Sequence, residues 1–333
     1  MRRLLAAIAG LAATALLVAP ALAHHSMSMF DTSKEILIKG KVVRFEWKNP
    51  HMYLVVETVG EDGKKQLIQG EGLAITQALV DGLHQKDLPV GAQVVVRANP
   101  NRSGPGKTVR LLDVTTQDGE IHPFYTASSK TRTLPQAESL AGNWAPSRQS
   151  MTAAWGVIAR WPITPEGRAI QKQNKADGLC YVEPTPFLAT LDELRTIKIG
   201  RNEVVFHFNN TGDDAVRTVR LNAKHAANAK PSRFGDAVGK WEGETLVIDT
   251  IAFEPNPSGL FVNIPSSAQK HTVERLTLTD DKRRLRYEST VEDPVYLEKP
   301  ASFTMLWDHR PDLKLSPRSE VCDQKIARRY LEY

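Results

Sequence analysis

The chain is poor in cysteine and lacks the short motifs of the common enzyme classes. Of 333 residues only Cys180 and Cys322 are cysteines. There is no Gly-x-Ser-x-Gly elbow, no phosphate loop, no His-Glu-x-x-His and no Cys-x-x-Cys. These absences count against the familiar hydrolase and dithiol-redox classes. Strong charge of one sign is also missing. The formal net charge is +5, and without Arg2 and Arg3 it is +3. With no basic helix and no arginine–aromatic ladder, that balance argues against nucleic acid as a partner. Basic clusters such as Lys282-Arg283-Arg284 fall between strand-like runs and read as solvated turns.

One long apolar run is present, at the start. Arg2 and Arg3 precede an apolar stretch from Leu4 to Pro20, and Ala21-Leu22-Ala23 is a small-x-small cleavage site. This is the order of a secretory signal peptide over residues 1–23, cleaved between Ala23 and His24. No later segment is apolar enough to span a bilayer. The mature protein is therefore expected to be periplasmic or secreted. In such an oxidising compartment two cysteines favour one disulfide, Cys180–Cys322, over two free thiols. Closing so long a loop would stabilise by about 4–5 kcal/mol in the chain-entropy model.

About 310 mature residues exceed one ordinary domain, which favours two. Ile36 to Trp47 alternates apolar and polar residues, with a bulge expected at Gly40. Met52–Val59 and Lys65–Gly70 read as strands around the turn Glu61-Asp62-Gly63-Lys64. Ile75–Leu83 has helical spacing, and Gln93–Ala98 and Val109–Thr115 are two more strands. Three strands, a helix and two strands is the order of a five-stranded OB-type barrel, assigned to residues 24–119. Residues 120–140 read as a linker.

Residues 141–333 form the second domain. Strand-like runs at 197–199, 203–208, 216–221, 245–251, 271–279, 284–291 and 301–307, divided by polar turns, predict an antiparallel β-barrel or sandwich, calycin-like in kind. Thr164-Pro165-Glu166 predicts a helix start, with the helix running to about Lys175. The fold class is thus mainly β.

Two stretches carry a resemblance to known families. Ala23-His24-His25-Ser26-Met27, followed by Phe45-Glu46-Trp47-Lys48-Asn49-Pro50-His51, resembles the DUF6152 family of exported bacterial proteins. Position 27 is methionine where that pattern has phenylalanine. The second domain is similar to a β-rich domain often joined to it, through Gly235–Thr250, His271–Arg275 and Thr290–Pro294. That pattern has a histidine where this chain has Asp236. The resemblance implies architecture and export; it supplies no activity.

The leading chemical constellation is His24, His25 and His51. Cleavage after Ala23 would give His24 a free α-amine, so one residue offers an amine and an imidazole. A further imidazole completes a T-shaped three-nitrogen set that suits Cu(II). The amine's ordinary pKa of about 7.7–8.0 makes it easy for a metal to deprotonate. Met27 and Met29 would add thioethers for Cu(I). The alternative is cleavage-site context at a terminus and a packed His51. A second candidate is the carboxylate group Asp236, Glu242, Glu244 and Asp249, able in principle to do acid/base work. Trp241-Glu242-Gly243-Glu244 reads more simply as an exposed hairpin turn, and Glu292-Asp293-Pro294 as a strand end. His207 and His271 read as packed or surface residues. Trp144, Trp155, Trp161, Trp241 and Trp307 line either a cavity or a core. The functional expectation is an exported binding protein, with copper as candidate metal. A barrel for an apolar small molecule, or an uncharacterised periplasmic enzyme, are the alternatives.

Overall fold

The computed structural model describes residues 29–48, 51–60, 62–104, 106, 108–124, 133–173, 184–191, 193–208 and 215–314. The signal segment, His24, His25, Met27, Cys180 and Cys322 lie outside the described residues.

The first domain is built from β1 (Ile36–Glu46), β2 (Tyr53–Val59), β3 (Lys65–Glu71), the helix α1 (Ile75–Asp81), β4 (Gln93–Asn99) and β5 (Val109–Thr116). Alternation drives the sheet: Val42, Phe45, Val56, Val94, Val96 and Leu111 share one buried core. The strand order is β3-β2-β1-β4-β5, and a short parallel pairing of β3 with β5 at Gly70–Val109 closes the barrel. This is the expected OB-type connectivity. A short strand β6 (Ile121–Pro123) pairs with β5, and Phe124 sits in the same core. The first domain therefore runs past residue 119. Of the expected 120–140 linker, Ala137 and Leu140 belong to the second core, and residues 125–132 lie outside the described residues. The expected bulge at Gly40 also moves. The β1–β2 register shifts between Val42 and Arg44.

The second domain is a closed nine-stranded barrel. Its strands are β7 (Gly142–Pro146), β8 (Arg195–Ile199), β9 (Glu203–Phe208), β10 (Ala215–Leu221), β11 (Asp236–Glu242), β12 (Thr245–Ile251), β15 (His271–Leu278), β16 (Arg284–Glu292) and β17 (Ala301–His309). Between barrel and sandwich, the structure has the barrel. The fully antiparallel expectation needs one correction. β10 and β11 run parallel, paired at Arg220–Val238 and Leu221–Gly239, because their connection crosses the barrel end. A separate hairpin, β13 (Asn256–Phe261) and β14 (Ile264–Ser266), packs with the turn at Phe187–Thr190 through Phe187 and Phe261. Two helices flank the barrel, α2 (Arg148–Ile158) and α3 (Pro165–Gln173). Thr164 Oγ1 accepts from the Gly167 amide at 3.2 Å, the cap its sequence suggested. Among the described residues no helix is long and apolar enough to cross a membrane.

Candidate functional site

His51 lies in the β1–β2 connection, where the barrel closes. Backbone bonds from Met52 N–H to the Leu73 carbonyl and from Gly72 N–H to the Met52 carbonyl fix this corner. Residue 72 must be glycine: a Cβ there would stand 2.5 Å from the Phe124 ring. The Gly72 carbonyl lies 3.0 Å from His51 Nδ1, and Glu71 Oε1 lies 3.2 Å from it. The Gly72 carbonyl can only accept, so this contact is a hydrogen bond when Nδ1 carries the hydrogen. Glu71 is 7% exposed. Burial pushes its carboxyl up, while His51 and Arg110 pull it down. Arg110 in turn donates to Asn99 at 3.0 Å, and Asn99 donates to the Lys34 carbonyl at 2.8 Å. A polar row thus crosses the outer face from β4 through β5 and β3 to His51.

The chain enters the described fold at the far end of that row. Phe30 is buried and bridges Asn101, and the Arg102 amide donates to the Met29 carbonyl at 2.9 Å. Beside it opens a groove of about 960 Å³, lined by Ile36, Ile38, Ile68 and Val109 with Lys34 and Arg102. It marks where β3 and β5 pair only at their ends.

The second candidate set separates. Asp236 begins β11, whereas Glu244 is exposed in the turn at the opposite end of the β11–β12 hairpin, beside Gly243 at φ +61°. They share no site. Glu242 pairs outward with Lys240 at 2.8 Å and Arg275 at 2.9 Å. Asp236 instead meets residues that sequence reading did not connect to it. It accepts from Arg220 at 2.6 Å and from the Ala226 amide at 2.9 Å, and faces His225 Nδ1 at 3.2 Å. Burial raises its carboxyl, but the Ala226 amide, Arg220 and His225 outweigh it and hold the group below the usual range. His225 Nε2 lies 2.8 Å from Asp249 Oδ1, and His271 Nε2 lies 3.2 Å from Asp249 Oδ2.

The barrel interior is polar as well as aromatic. Arg217 donates to Glu274 and to Thr250, and Tyr287 OH donates to Glu274 at 2.7 Å. Arg195 stacks 4.3 Å from the Trp307 ring, which stacks on Tyr287. Lys270 is fully buried and donates to the carbonyls of Thr185 (2.9 Å) and Gly259 (3.3 Å), with its ammonium 4.0 Å from the Phe253 ring. The tryptophans do not line one cavity: Trp144, Trp161 and Trp307 are buried, and Trp155 and Trp241 are partly exposed. Among the described residues no group of three or more His, Cys, Asp or Glu is arranged to hold a metal ion. Two of the three histidines proposed from sequence lie outside those residues.

Fold and site together define a two-barrel β protein whose first barrel presents a histidine held at the end of a polar row. The model of the DUF6152 family, described as a family of unknown function, matches residues 12–110, a stretch that includes most of that first barrel. No curated protein matches the chain.

Proposed function

We propose that this is an exported metal-binding protein whose site forms on signal cleavage, with copper held by the His24 amine and imidazole and by His51, and with His25 beside them. The observation that carries the reading is what His51 Nδ1 faces. A metal-ligating imidazole characteristically donates its other N–H to a carbonyl or carboxylate, and His51 Nδ1 faces the Gly72 carbonyl and Glu71. Reach also supports it. Residues 24–28 extend up to about 17 Å from Met29. Asn99 and Glu71 flank Arg110 on neighbouring strands, each about 5 Å away, and Met29 lies a few residues further along.

The test compares mature protein beginning at His24 with a version carrying one extra alanine before it. Cu(II) titration followed by EPR should show one tight nitrogen-rich site in the first and its loss in the second. Equal Cu(II) binding by both would sink the terminal-amine reading. Mass spectrometry of the exported protein should find His24 as the first residue. An apolar molecule found bound in the same spectra, with no copper, would favour the ligand-barrel alternative.

A further inference from the structure

A row of alternating carboxylates and imidazoles crosses the outer face of the second barrel at its weakest seam. β10 and β11 share two residue pairs, fewer than any other neighbours in this barrel. Directly over that seam, Arg220 of β10 binds Asp236 of β11 at 2.6 Å. His225, on the connection that crosses the barrel end, stands between two carboxylates, Asp236 on one ring nitrogen and Asp249 of β12 on the other. Asp249 is shared with His271 of β15, whose Nδ1 lies 3.7 Å from Glu292 of β16. Three carboxylates therefore face one guanidinium, which leaves two negative charges.

Carboxylates only accept. His225 lies within hydrogen-bond distance of one on each ring nitrogen, at 3.2 and 2.8 Å. Both contacts are bonds only when both nitrogens carry hydrogen. A neutral ring turns one lone pair toward a carboxylate oxygen, and that contact becomes repulsive. We propose that His225 is a proton-operated latch: its doubly protonated ring ties Asp236 to Asp249 and holds the β10–β11 connection against the barrel, and loss of a ring proton releases the first half of that connection.

The connection is built for such partial release. Its second half is pinned independently, since Ser232 exchanges backbone bonds with Ala252 and Glu254. Among the described residues, besides the turn bond from the Ala229 amide to the Ala226 carbonyl, the ties that hold residues 223–231 to the barrel are those of His225 and of the Ala226 amide to Asp236. His225 is a quarter exposed, so protons reach it.

Hydrogen exchange of the whole mature protein, read by mass spectrometry, tests this. Exchange is measured at about pH 5.5 and about pH 8, a span that brackets the ordinary histidine range, and is corrected for the intrinsic rate. Peptides from β15 and β16 serve as the internal reference. Protection of residues 222–231 should fall about tenfold on going to the higher pH, the size expected of two partly exposed charge-assisted contacts. In His225→Gln that dependence should vanish while the reference peptides are unchanged. Should that variant fail to fold, Asp249→Asn removes the shared negative charge and leaves one acceptor oxygen where there were two, and it should flatten the profile in the same way. No change in wild-type protection overturns the proposal. So does a pH dependence that survives in the variants. If Zn(II) at pH 8 restores protection with a stoichiometry of one, the closing ion is a metal and the proton latch is wrong.

Discussion

Lys270 carries an ammonium group where water does not reach. Burial pulls its pKa down to about 7; Asp293 and Glu274 resist this and Arg217 adds to it. The folded-state value is depressed below that of the unfolded chain. Between about pH 7 and about pH 10 the unfolded chain therefore binds a proton that the folded chain does not. Stability must rise with pH across that window. The full span is worth on the order of 4 kcal/mol. Lys270→Met removes the titration but orphans the Thr185 and Gly259 carbonyls, so its stability at neutral pH should change little. Urea midpoints should climb from pH 7 to pH 10 in the wild type and stay flat in Lys270→Met; parallel curves would refute the assignment. Glu71 allows a second test at this scale. Glu71→Gln keeps the shape but weakens the acceptor that orients His51. Under the copper reading it should lower Cu(II) affinity by about 10–100-fold, read by competition with a chelator. Neither buried group was legible in the sequence as a site. Lys270 and Glu274 follow the inward parity of Thr272 and Leu276, but a charge on that parity is ordinarily read as facing water. His51 was legible because a proline-bounded turn and an early histidine pair drew attention to it.

At the scale of elements, β1 shows what pattern can and cannot fix. The period-two alternation from Ile36 located the strand to within a residue, and the αL Gly82 ended α1 at Asp81, two residues before the expected Leu83. Gly40 looked like a bulge because glycine inside a strand often is one. Its real constraint is across the sheet: a Cβ would stand 2.2 Å from the Glu57 carbonyl oxygen and 2.6 Å from a Val56 methyl. Sequence cannot show an approach made by a neighbouring strand. Gly40→Ala must move backbone, not a side-chain tip. It should cost about 1–3 kcal/mol, measured as a lowered urea midpoint with an unchanged slope. A stability equal to wild type would mean β1 and β2 are spaced more widely than described. α2 was missed for a related reason. Arg148–Ile158 buries only Met151, Ala154 and Ile158, a narrow stripe that three nearby tryptophans obscured. β7 ends in proline and was passed over, although Pro146 sits at a strand end where no ladder donor is needed.

At the scale of the molecule, two barrels that each close on themselves are joined by α1. Leu79 and Val80 pack on Ala145, Leu194 and Leu313 of the second domain. Arg310 donates to the Val80 and Leu79 carbonyls at 3.0 and 3.4 Å, placing a cation on the last turn of α1, at the negative end of its dipole. Asp81, at the end of the same helix, forms an ion pair with Arg148, which also donates to the Phe124 carbonyl. These partners are 67 and 230 residues apart in sequence, so no local pattern announces them. Asp81 is largely buried. Burial pushes its carboxyl above the usual range despite Arg148, the Gln77 bond and Arg310. Such a pair is costly to break and cheap to replace. Arg148→Met alone leaves a buried carboxylate and should destabilise by about 3 kcal/mol or more. Asp81→Leu alone leaves the guanidinium and should cost a similar amount. The double variant removes both charges, so its loss should be well below the sum of the two. Denaturant unfolding of all four proteins closes the cycle. If the pair locks the domains together, the single variants should also split one transition into two, with the double variant again close to one. Strict additivity would show that Asp81 and Arg148 are independent surface charges and that the apolar contact of Leu79 and Val80 alone holds the barrels together.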